Sequence, residues 1–168
     1  MQDLILDSSI VKAHQHSGGA KRGEGQPEIQ HIGVSKGGKS TKIHAIVDGL
    51  GNPVYIQLSA GNINDSTLGV EMLSAVELTG STVLADKAYG TSDIRKYIDN
   101  ENVSYCIPPK QNTKDPWECD FWHYKERHLV ECFFQKLKLY RRIATCYDKL
   151  TSRFLGNVSK FVYTPKWM

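Results

Sequence analysis

The sequence predicts a single domain with an α/β fold, a mixed β-sheet with helices on its faces. Three observations support this prediction of domain number and fold class. Short apolar or β-branched runs alternate with capped, amphipathic segments along the chain. The 168 residues, 40% of them hydrophobic, suffice for one well-packed domain and are too few for two of ordinary size. No run is long and apolar enough to span a membrane. We therefore expect residues 1–168 to form a single domain.

The first part of the chain predicts a strand, a long loop and a hairpin. Residues 4–6 are apolar and end at Asp7, as a buried central strand would. Residues 17–40 are rich in Gly, Ser, Lys and Gln and predict a mobile loop, whose length is more typical of function than of a simple connection. Residues 41–47 and 54–58 read as strands, and the Gly- and Pro-containing turn between them predicts a hairpin.

The second part predicts helices alternating with strands. Each of the first two helices follows a capping sequence, at residues 64–67 and 91–93. The strand predicted over residues 82–85 is followed directly by Asp86. The predicted elements are, in order, a helix over 68–78, a strand over 82–85, a helix to about 99, a strand over 103–107, a polar loop over 110–120 and a long helix.

A stripe of polar side chains follows the predicted long helix. Its spacing is Y-x2-R-x3-E-x6-K, and its members are Tyr124, Arg127, Glu131 and Lys138. At about 100° per residue these four side chains share one narrow sector of the helix. The apolar residues lie on the other side and predict the buried face: Leu129, Phe133, Leu137 and Tyr140. A carboxylate between cations on a packed helix is interpreted as a metal ligand at a phosphate-binding surface.

Three carboxylates are the candidate metal ligands and catalytic residues: Asp7, Asp86 and Glu131. Carboxylates at the ends of adjacent strands can converge on one point, and a helix at the sheet edge can add a third. Such a set suits Mg²⁺ or Mn²⁺, and two ions about 4 Å apart support phosphodiester chemistry. Other acids have local explanations as turn or capping residues: Asp48, Asp65 and Asp93.

Positive charge is concentrated toward the C-terminus. Residues 124–168 hold ten Lys or Arg against three acids, whereas residues 1–123 hold eleven against fifteen. The basic part predicts a polyanion partner, and the acidic remainder predicts carboxylates that bind cations.

A phosphate-binding loop is one alternative. Residues 33–40 match G-x-x-x-x-G-K-[ST], and the apolar residues before Asp86 resemble the second strand of an ATPase. Such a loop needs a buried strand before it and a helix after it. Here a polar segment precedes the motif and an alternating, strand-like run follows it, which favours a basic loop that touches the DNA backbone.

Other candidate sites compete for the His, Cys and Trp residues. A zinc site would use Cys119, His123, His128 and Cys132, but C-x3-H…H-x3-C is not a common structural zinc spacing. A single-strand nicking enzyme with a tyrosine nucleophile would bind a metal through His14 and His16, but Gln15 and the glycines that follow favour a strand edge that runs into a loop. The aromatic side chains that could stack on extruded bases are Trp117, Phe121 and Trp122, although ordinary packing of the last loop is the favoured interpretation. The four cysteines have no C-x-x-C spacing and no signal peptide is evident, which predicts a cytoplasmic protein with reduced thiols.

The motifs together resemble one family. The chain resembles the catalytic domain of DDE-type insertion-sequence transposases, in the group whose last motif is Y-(2)-R-(3)-E-(6)-K. Three further segments agree with that group: residues 6–9 near the start, residues 84–89 in the middle and residues 141–145 after the motif. The resemblance covers nearly the whole chain.

The resemblance implies a fold, a reaction and a set of partners. It implies an RNase H-like mixed sheet flanked by helices, in which Asp7, Asp86 and Glu131 hold two Mg²⁺ or Mn²⁺ ions. Water would attack a phosphodiester at a transposon end, and the released 3′-hydroxyl would attack target DNA. The residues implied to contact double-stranded DNA are Tyr124, Arg127 and Lys138, joined by Arg141 and Arg142 after the motif. A homodimer is expected during synapsis.

The position of the first aspartate differs from the usual pattern of this group. Members usually carry an N-terminal DNA-binding region before it, whereas Asp7 stands almost at the start. We expect the chain to be the second reading frame of a bacterial element, joined by frameshifting to an upstream DNA-binding partner, or a remnant that binds DNA without cutting it.

Overall fold

The computed structural model describes residues 2–14, 31–35, 37–148 and 151–162. The strands are β1 (Gln2–Ala13), β2 (Gly33–Ser35), β3 (Gly38–Asp48), β4 (Pro53–Ala60), β5 (Ser81–Ala85), β6 (Ser104–Cys106) and β7 (Thr145–Cys146). The α-helices are α1 (Gly69–Ser74), α2 (Ser92–Asn100), α3 (His128–Lys138), α4 (Arg141–Ala144) and α5 (Thr151–Val162). Short 3₁₀ helices cover Asp65–Leu68, Lys87–Tyr89 and His123–Arg127.

All seven strands belong to one sheet. Its order is β2-β3-β1-β5-β6, with β4 paired to β3 and β7 paired to β1. β5 runs parallel to both β1 and β6, and α2 makes the crossover from β5 to β6 that parallel neighbours require. β3 and β4 form the predicted hairpin, and Asp48 closes its turn by accepting hydrogen bonds from the backbone N–H of Leu50 and Asn52. The prediction of a mixed α/β sheet with helices is confirmed.

The chain divides into two compact units. The first comprises Met1–Asp7, Ala45–Tyr55 and Asn64–Phe133. Its core joins strand residues to the inner faces of α1 and α2 and includes Leu6, Ile46, Met72, Leu73, Val83, Tyr89, Ile94 and Ile98. Gly69 has no space for a side chain, since an added Cβ would lie 2.4 Å from Ile94 Cδ1.

The second unit comprises Ser8–His44, Ile56–Ile63 and Phe134–Met168. Two of its buried polar side chains make short contacts: His44 Nε2 lies 2.7 Å from Ser59 Oγ, and Lys42 Nζ donates a 2.7 Å hydrogen bond to the carbonyl of Ile63. Its apolar interior includes Phe154 and Val158, which are four residues apart on α5 and fully buried.

Several predicted elements have different bounds. β1 continues through Asp7 for six more residues, so this carboxylate lies within a strand and not at its end. The first predicted helix begins as a 3₁₀ turn and ends at Ser74, well before residue 78. The predicted long helix is a 3₁₀ segment followed by α3, so its first turns do not follow the 100° repeat. No prediction was made for α4, β7 or α5.

The predicted loop over residues 17–40 is partly wrong. Residues 15–30 and 36 lie outside the described residues. The described remainder contains β2 and the start of β3, which pair antiparallel with Val34 opposite Lys39. The described residues of the motif that resembled a phosphate-binding loop therefore lie on two antiparallel strands, and the residues after it continue as a strand instead of a helix.

Candidate active site

Asp7 and Asp86 are brought together by the register of two parallel strands. β1 pairs with β5 from Gln2 opposite Ser81 to Leu6 opposite Ala85. Asp7 follows Leu6 and Asp86 follows Ala85, so the two aspartates stand at the same point along the sheet. Asp86 also caps the following 3₁₀ turn, because its Oδ1 accepts a 2.6 Å hydrogen bond from the backbone N–H of Lys87.

Arg127 connects the first aspartate to Glu131. Arg127 Nη1 donates to Asp7 Oδ2 at 2.8 Å, and Arg127 Nη2 donates to Glu131 Oε1. The Arg127 and Asp7 side chains are each 19% exposed, whereas the Glu131 side chain is 50% exposed. All these residues belong to the first unit. One guanidinium thus bridges two of the three predicted metal ligands, although they lie far apart in the sequence.

The segment that carries Tyr124 and Arg127 is held at its start by two contacts. Asp120 Oδ1 accepts hydrogen bonds from the backbone N–H of Trp122 at 2.9 Å and of His123 at 3.1 Å. His123 Nε2 lies 2.9 Å from Asp3 Oδ1 on β1. Sequence reasoning assigned neither contact, because the Asp3–His123 pair depends on where the segment meets the sheet. A capping Asp three residues before a helical segment was the only available signal.

The electrostatic surroundings of Arg127 include all three carboxylates, and those of Tyr124 include Asp7 and Asp86. Burial alone would lower the pKa of the Arg127 guanidinium, but Asp7, Tyr124, Glu131 and Asp86 raise it, and the net shift is upward. Burial raises the pKa of the Tyr124 hydroxyl, Asp86 and Asp7 raise it further, and Arg127 opposes them. Tyr124 and Arg127 therefore lie within the electrostatic field of the acidic cluster.

The chemistry of the three carboxylates fits a divalent cation. Carboxylate oxygens are the hard donors that Mg²⁺ and Mn²⁺ prefer, and the cluster already attracts one cationic side chain. As arranged, no group of three or more His, Cys, Asp or Glu side chains in the described part of the chain could hold a metal ion. The assignment of Asp7, Asp86 and Glu131 as ligands therefore stays a prediction.

A cleft of about 330 Å³ lies beside Asp86. Its lining is mostly polar and includes acidic, basic and amide side chains. The lining residues are Asn64, Asp65, Ser66, Asp86, Lys87, Ala88, Lys110 and Gln111. Asp65 had been explained as a helix cap, but the N-cap position belongs to Asn64, whose side chain makes no capping hydrogen bond. The cleft was not predicted, because its walls come from three separate segments of the first unit.

The aromatic residues of the preceding loop divide into packed and exposed groups. Trp117 is a packing residue, since its Nε1 donates a 2.7 Å hydrogen bond to the carbonyl of Ile107 and Arg95 stacks 3.8 Å from its ring. Phe121 and Trp122 are 63% and 79% exposed. Lys125 Nζ lies 4.5 Å from the Trp122 ring. Of the three candidate stacking residues, Trp117 is packed as the alternative of ordinary packing predicts, whereas Phe121 and Trp122 are available on the surface.

The residues of the alternative zinc site, which the spacing disfavours, do not come together. Cys119 Sγ lies 3.3 Å from Cys106 Sγ, and His123 pairs with Asp3. His128 Nδ1 contacts the carbonyl of Lys125, while Cys132 is exposed. The members of the set therefore make separate local contacts. The alternative metal pair of His14 and His16 has one member, His16, outside the described residues.

The remaining predicted DNA contacts lie in the second unit. Lys138, Arg141 and Arg142 are exposed at the end of α3 and in α4. Exposure suits contact with a phosphate backbone, and their role stays a prediction. Among the described helices, none has the length and hydropathy needed to cross a bilayer.

Comparisons with known proteins agree on a family. The model of the Transposase DDE domain matches residues 1–161. The chain is similar to the "Putative transposase for insertion sequence element IS6501" of Brucella ovis, with 38% identity over 120 residues that cover 71% of this chain and 92% of the relative.

Two solved structures of transposases align with parts of the chain. The Mos1 transposase in a paired-end complex with the left transposon end has 15% identity and a TM-score of 0.38. The piggyBac transposase in a synaptic complex with hairpin DNA has 16% identity and a TM-score of 0.40. The alignments cover 61% and 67% of this chain but only 34% and 24% of those proteins. At these scores the fold assignment rests on the sheet order. The match over residues 1–161, together with the 38% identical relative, shows that this chain belongs to the Transposase DDE domain family.

Proposed function

We propose that this chain is the catalytic domain of an insertion-sequence transposase of the group with the Y-(2)-R-(3)-E-(6)-K signature. It would cut transposon ends and transfer the 3′-hydroxyl strand to target DNA. One observation carries the proposal: Asp7 within β1 and Asp86 at the end of β5 lie side by side on neighbouring parallel strands, and Arg127 joins Asp7 to Glu131. Family membership supports the same assignment.

The proposed reaction consists of two displacements at phosphorus. A water oxygen bonds to the phosphorus at the transposon end while the bond to the 3′ oxygen breaks, which leaves a 3′-hydroxyl. That hydroxyl then bonds to a phosphorus of target DNA, and a second 3′ oxygen leaves. Asp7, Asp86 and Glu131 would hold two Mg²⁺ or Mn²⁺ ions, which when bound supply nucleophile activation and stabilisation of the leaving oxygen.

The cationic and aromatic side chains of the motif would position the DNA. Arg127 presents a planar fork that suits a phosphate, and Tyr124 lies beside it with its ring centroid 5.8 Å from the guanidinium carbon. Lys138, Arg141 and Arg142 would add contacts to the backbone of double-stranded DNA. A homodimer during synapsis and an upstream-frame partner that selects the transposon end belong to the same proposal.

Two other functions give different expectations. A remnant without catalytic competence would bind DNA and leave it uncut. An ATPase would bind ATP, and the Lys39→Ala variant would no longer bind it. The strand pairing of Lys39 disfavours the ATPase, since a phosphate-binding loop must lead into a helix.

Cleavage of DNA that carries the ends of the element tests the proposal directly. Asp86→Asn and Glu131→Gln keep the side-chain shape but remove a negative charge, so we expect Mg²⁺-dependent nicking to fall by about a hundredfold or more. Asp99→Asn is the matched control, because Asp99 is an exposed acid on α2, and it should cut like the unmodified chain.

The assay should be run with and without an upstream DNA-binding fusion. Nicking that persists in Asp86→Asn would contradict the assignment of the site. Binding without nicking in both formats would favour the remnant.

A further inference from the structure

Arg127 occupies the position where two proposed metal ligands meet. Its Nη1 contacts Asp7 at 2.8 Å and its Nη2 contacts Glu131, so the two carboxylates share one cation. Both the guanidinium and Asp7 are four-fifths removed from solvent. An ion pair at this depth is screened less than a surface pair, and it uses carboxylate oxygens that a metal ion would need.

The contact is specific to an arginine fork. A guanidinium has donors on both terminal nitrogens and can serve two carboxylates together, whereas an ammonium is a point charge. The backbone around Arg127 is separately fixed by Asp120 and by the His123–Asp3 contact. The guanidinium can therefore move away from the carboxylates through side-chain rotation while the 3₁₀ segment stays in place.

Arg127 and a divalent ion would compete for the same oxygens. A guanidinium next to the ligands repels an incoming cation, and the two ion pairs must break before Asp7 and Glu131 can coordinate it. We infer that Arg127 is a built-in counter-cation that holds Asp7 and Glu131 together in the metal-free chain and is displaced when divalent ions bind, which frees it for a DNA phosphate. This positioning role rests on the proposed function, since that function assigns the carboxylates to metal.

Metal binding by the DNA-free chain tests the inference without measuring catalysis. Calorimetric titration with Mn²⁺ is compared for the unmodified chain, Arg127→Gln and Arg127→Lys, with the melting temperature measured in EDTA and in Mn²⁺. We expect Arg127→Gln to melt lower in EDTA but to bind Mn²⁺ about tenfold more tightly, because two charge-assisted contacts no longer oppose the ion. The Mn²⁺ affinity of Arg127→Lys should lie between those of the unmodified chain and Arg127→Gln. Because Arg127→Lys keeps the positive charge, it also serves as the test variant if Arg127→Gln fails to fold.

Arg95→Gln is the matched control. It removes a cation of the same unit that stacks on Trp117 and contacts none of the three carboxylates in the described hydrogen bonds. This variant should lose stability with unchanged Mn²⁺ affinity. A purely structural role for Arg127 would give that same pattern, so tighter binding in Arg127→Gln is the distinguishing result.

The remaining outcomes separate the inference from the proposed function. Equal or weaker Mn²⁺ binding in Arg127→Gln, with binding lost in Asp86→Asn, would overturn the counter-cation and leave the metal site intact. Absence of Mn²⁺ binding in the unmodified chain and in both Arg127 variants would overturn both.

Discussion

At the residue scale, burial controls the chemistry of the thiols. Burial raises the pKa of the Cys106 thiol to about 12, and the contact with Cys119 adds to the shift. Burial likewise raises the pKa of Cys146 to about 11. A raised folded-state pKa stabilises the protein below the thiol's unfolded pKa, and that contribution is lost as the pH rises toward the folded value. Because the thiolate is the nucleophile, both buried thiols should react slowly near neutral pH.

We therefore expect the four cysteines to alkylate at different rates. With iodoacetamide at pH 8, Cys132 should label first because it is exposed, and Cys106 and Cys146 should label at least about tenfold more slowly. Mass spectrometry of the digested protein gives the labelled fraction at each site. The same reaction in urea is the control, where the rates should converge. Equal rates in the native protein would contradict the described burial.

At the element scale, the 3₁₀ segment decides where the site residues point. His123–Arg127 replaces the first turns of the predicted helix, and Asp120 satisfies backbone N–H groups at its start. A 3₁₀ turn has about three residues per turn, so Tyr124 and Arg127 lie on one side of the segment. The Asp120 contacts at the start of the segment are thus tied to the direction of the Arg127 side chain.

Asp120→Ala should therefore weaken both stability and activity. Loss of the cap is expected to lower the free energy of unfolding by about 1 kcal/mol. Nicking should fall as well, because Arg127 loses its fixed position. Asp120→Asn retains an oxygen acceptor and should be much closer to the unmodified chain. Urea denaturation and the nicking assay measure the two effects. Identical behaviour of the two variants would argue that the carboxamide cannot replace the cap.

At the scale of the whole molecule, charge is distributed unevenly along the chain. The basic residues after position 123 exceed the acids by seven, while the preceding part is acidic. In a DNA-binding protein each Lys or Arg that contacts a phosphate releases a condensed counterion. The salt dependence of binding therefore counts such contacts.

We expect Lys138→Ala, Arg141→Ala and Arg142→Ala each to weaken DNA binding. Each should also reduce the slope of log affinity against log salt concentration by about 1. Lys96→Ala is the control, since Lys96 is an exposed cation on α2 in the acidic part, and its slope should not change. Fluorescence anisotropy over a salt series gives these slopes. A slope that Arg141→Ala leaves unaltered would remove that residue from the DNA contacts.

Most of the fold could be predicted because its signals are local. The hairpin follows from alternating residues around a turn that Asp48 closes, and α2 follows from the Thr91 cap, which accepts from the N–H of Ile94. The residues at which the strands and helices begin and end were less predictable than their presence. β1 continues beyond Asp7, where Lys12 and Ala13 pair with β7 from more than a hundred residues away.

The sequence by itself determined the candidate chemistry: three carboxylates in order, the Y-x2-R-x3-E-x6-K spacing and the mixed sheet. Only the tertiary structure decided how these parts meet. The β1–β5 register sets Asp7 beside Asp86, and Arg127 reaches Asp7 across 120 residues of sequence. Residue spacing encodes periodicity within one element, whereas strand register and ion pairing depend on how distant elements pack.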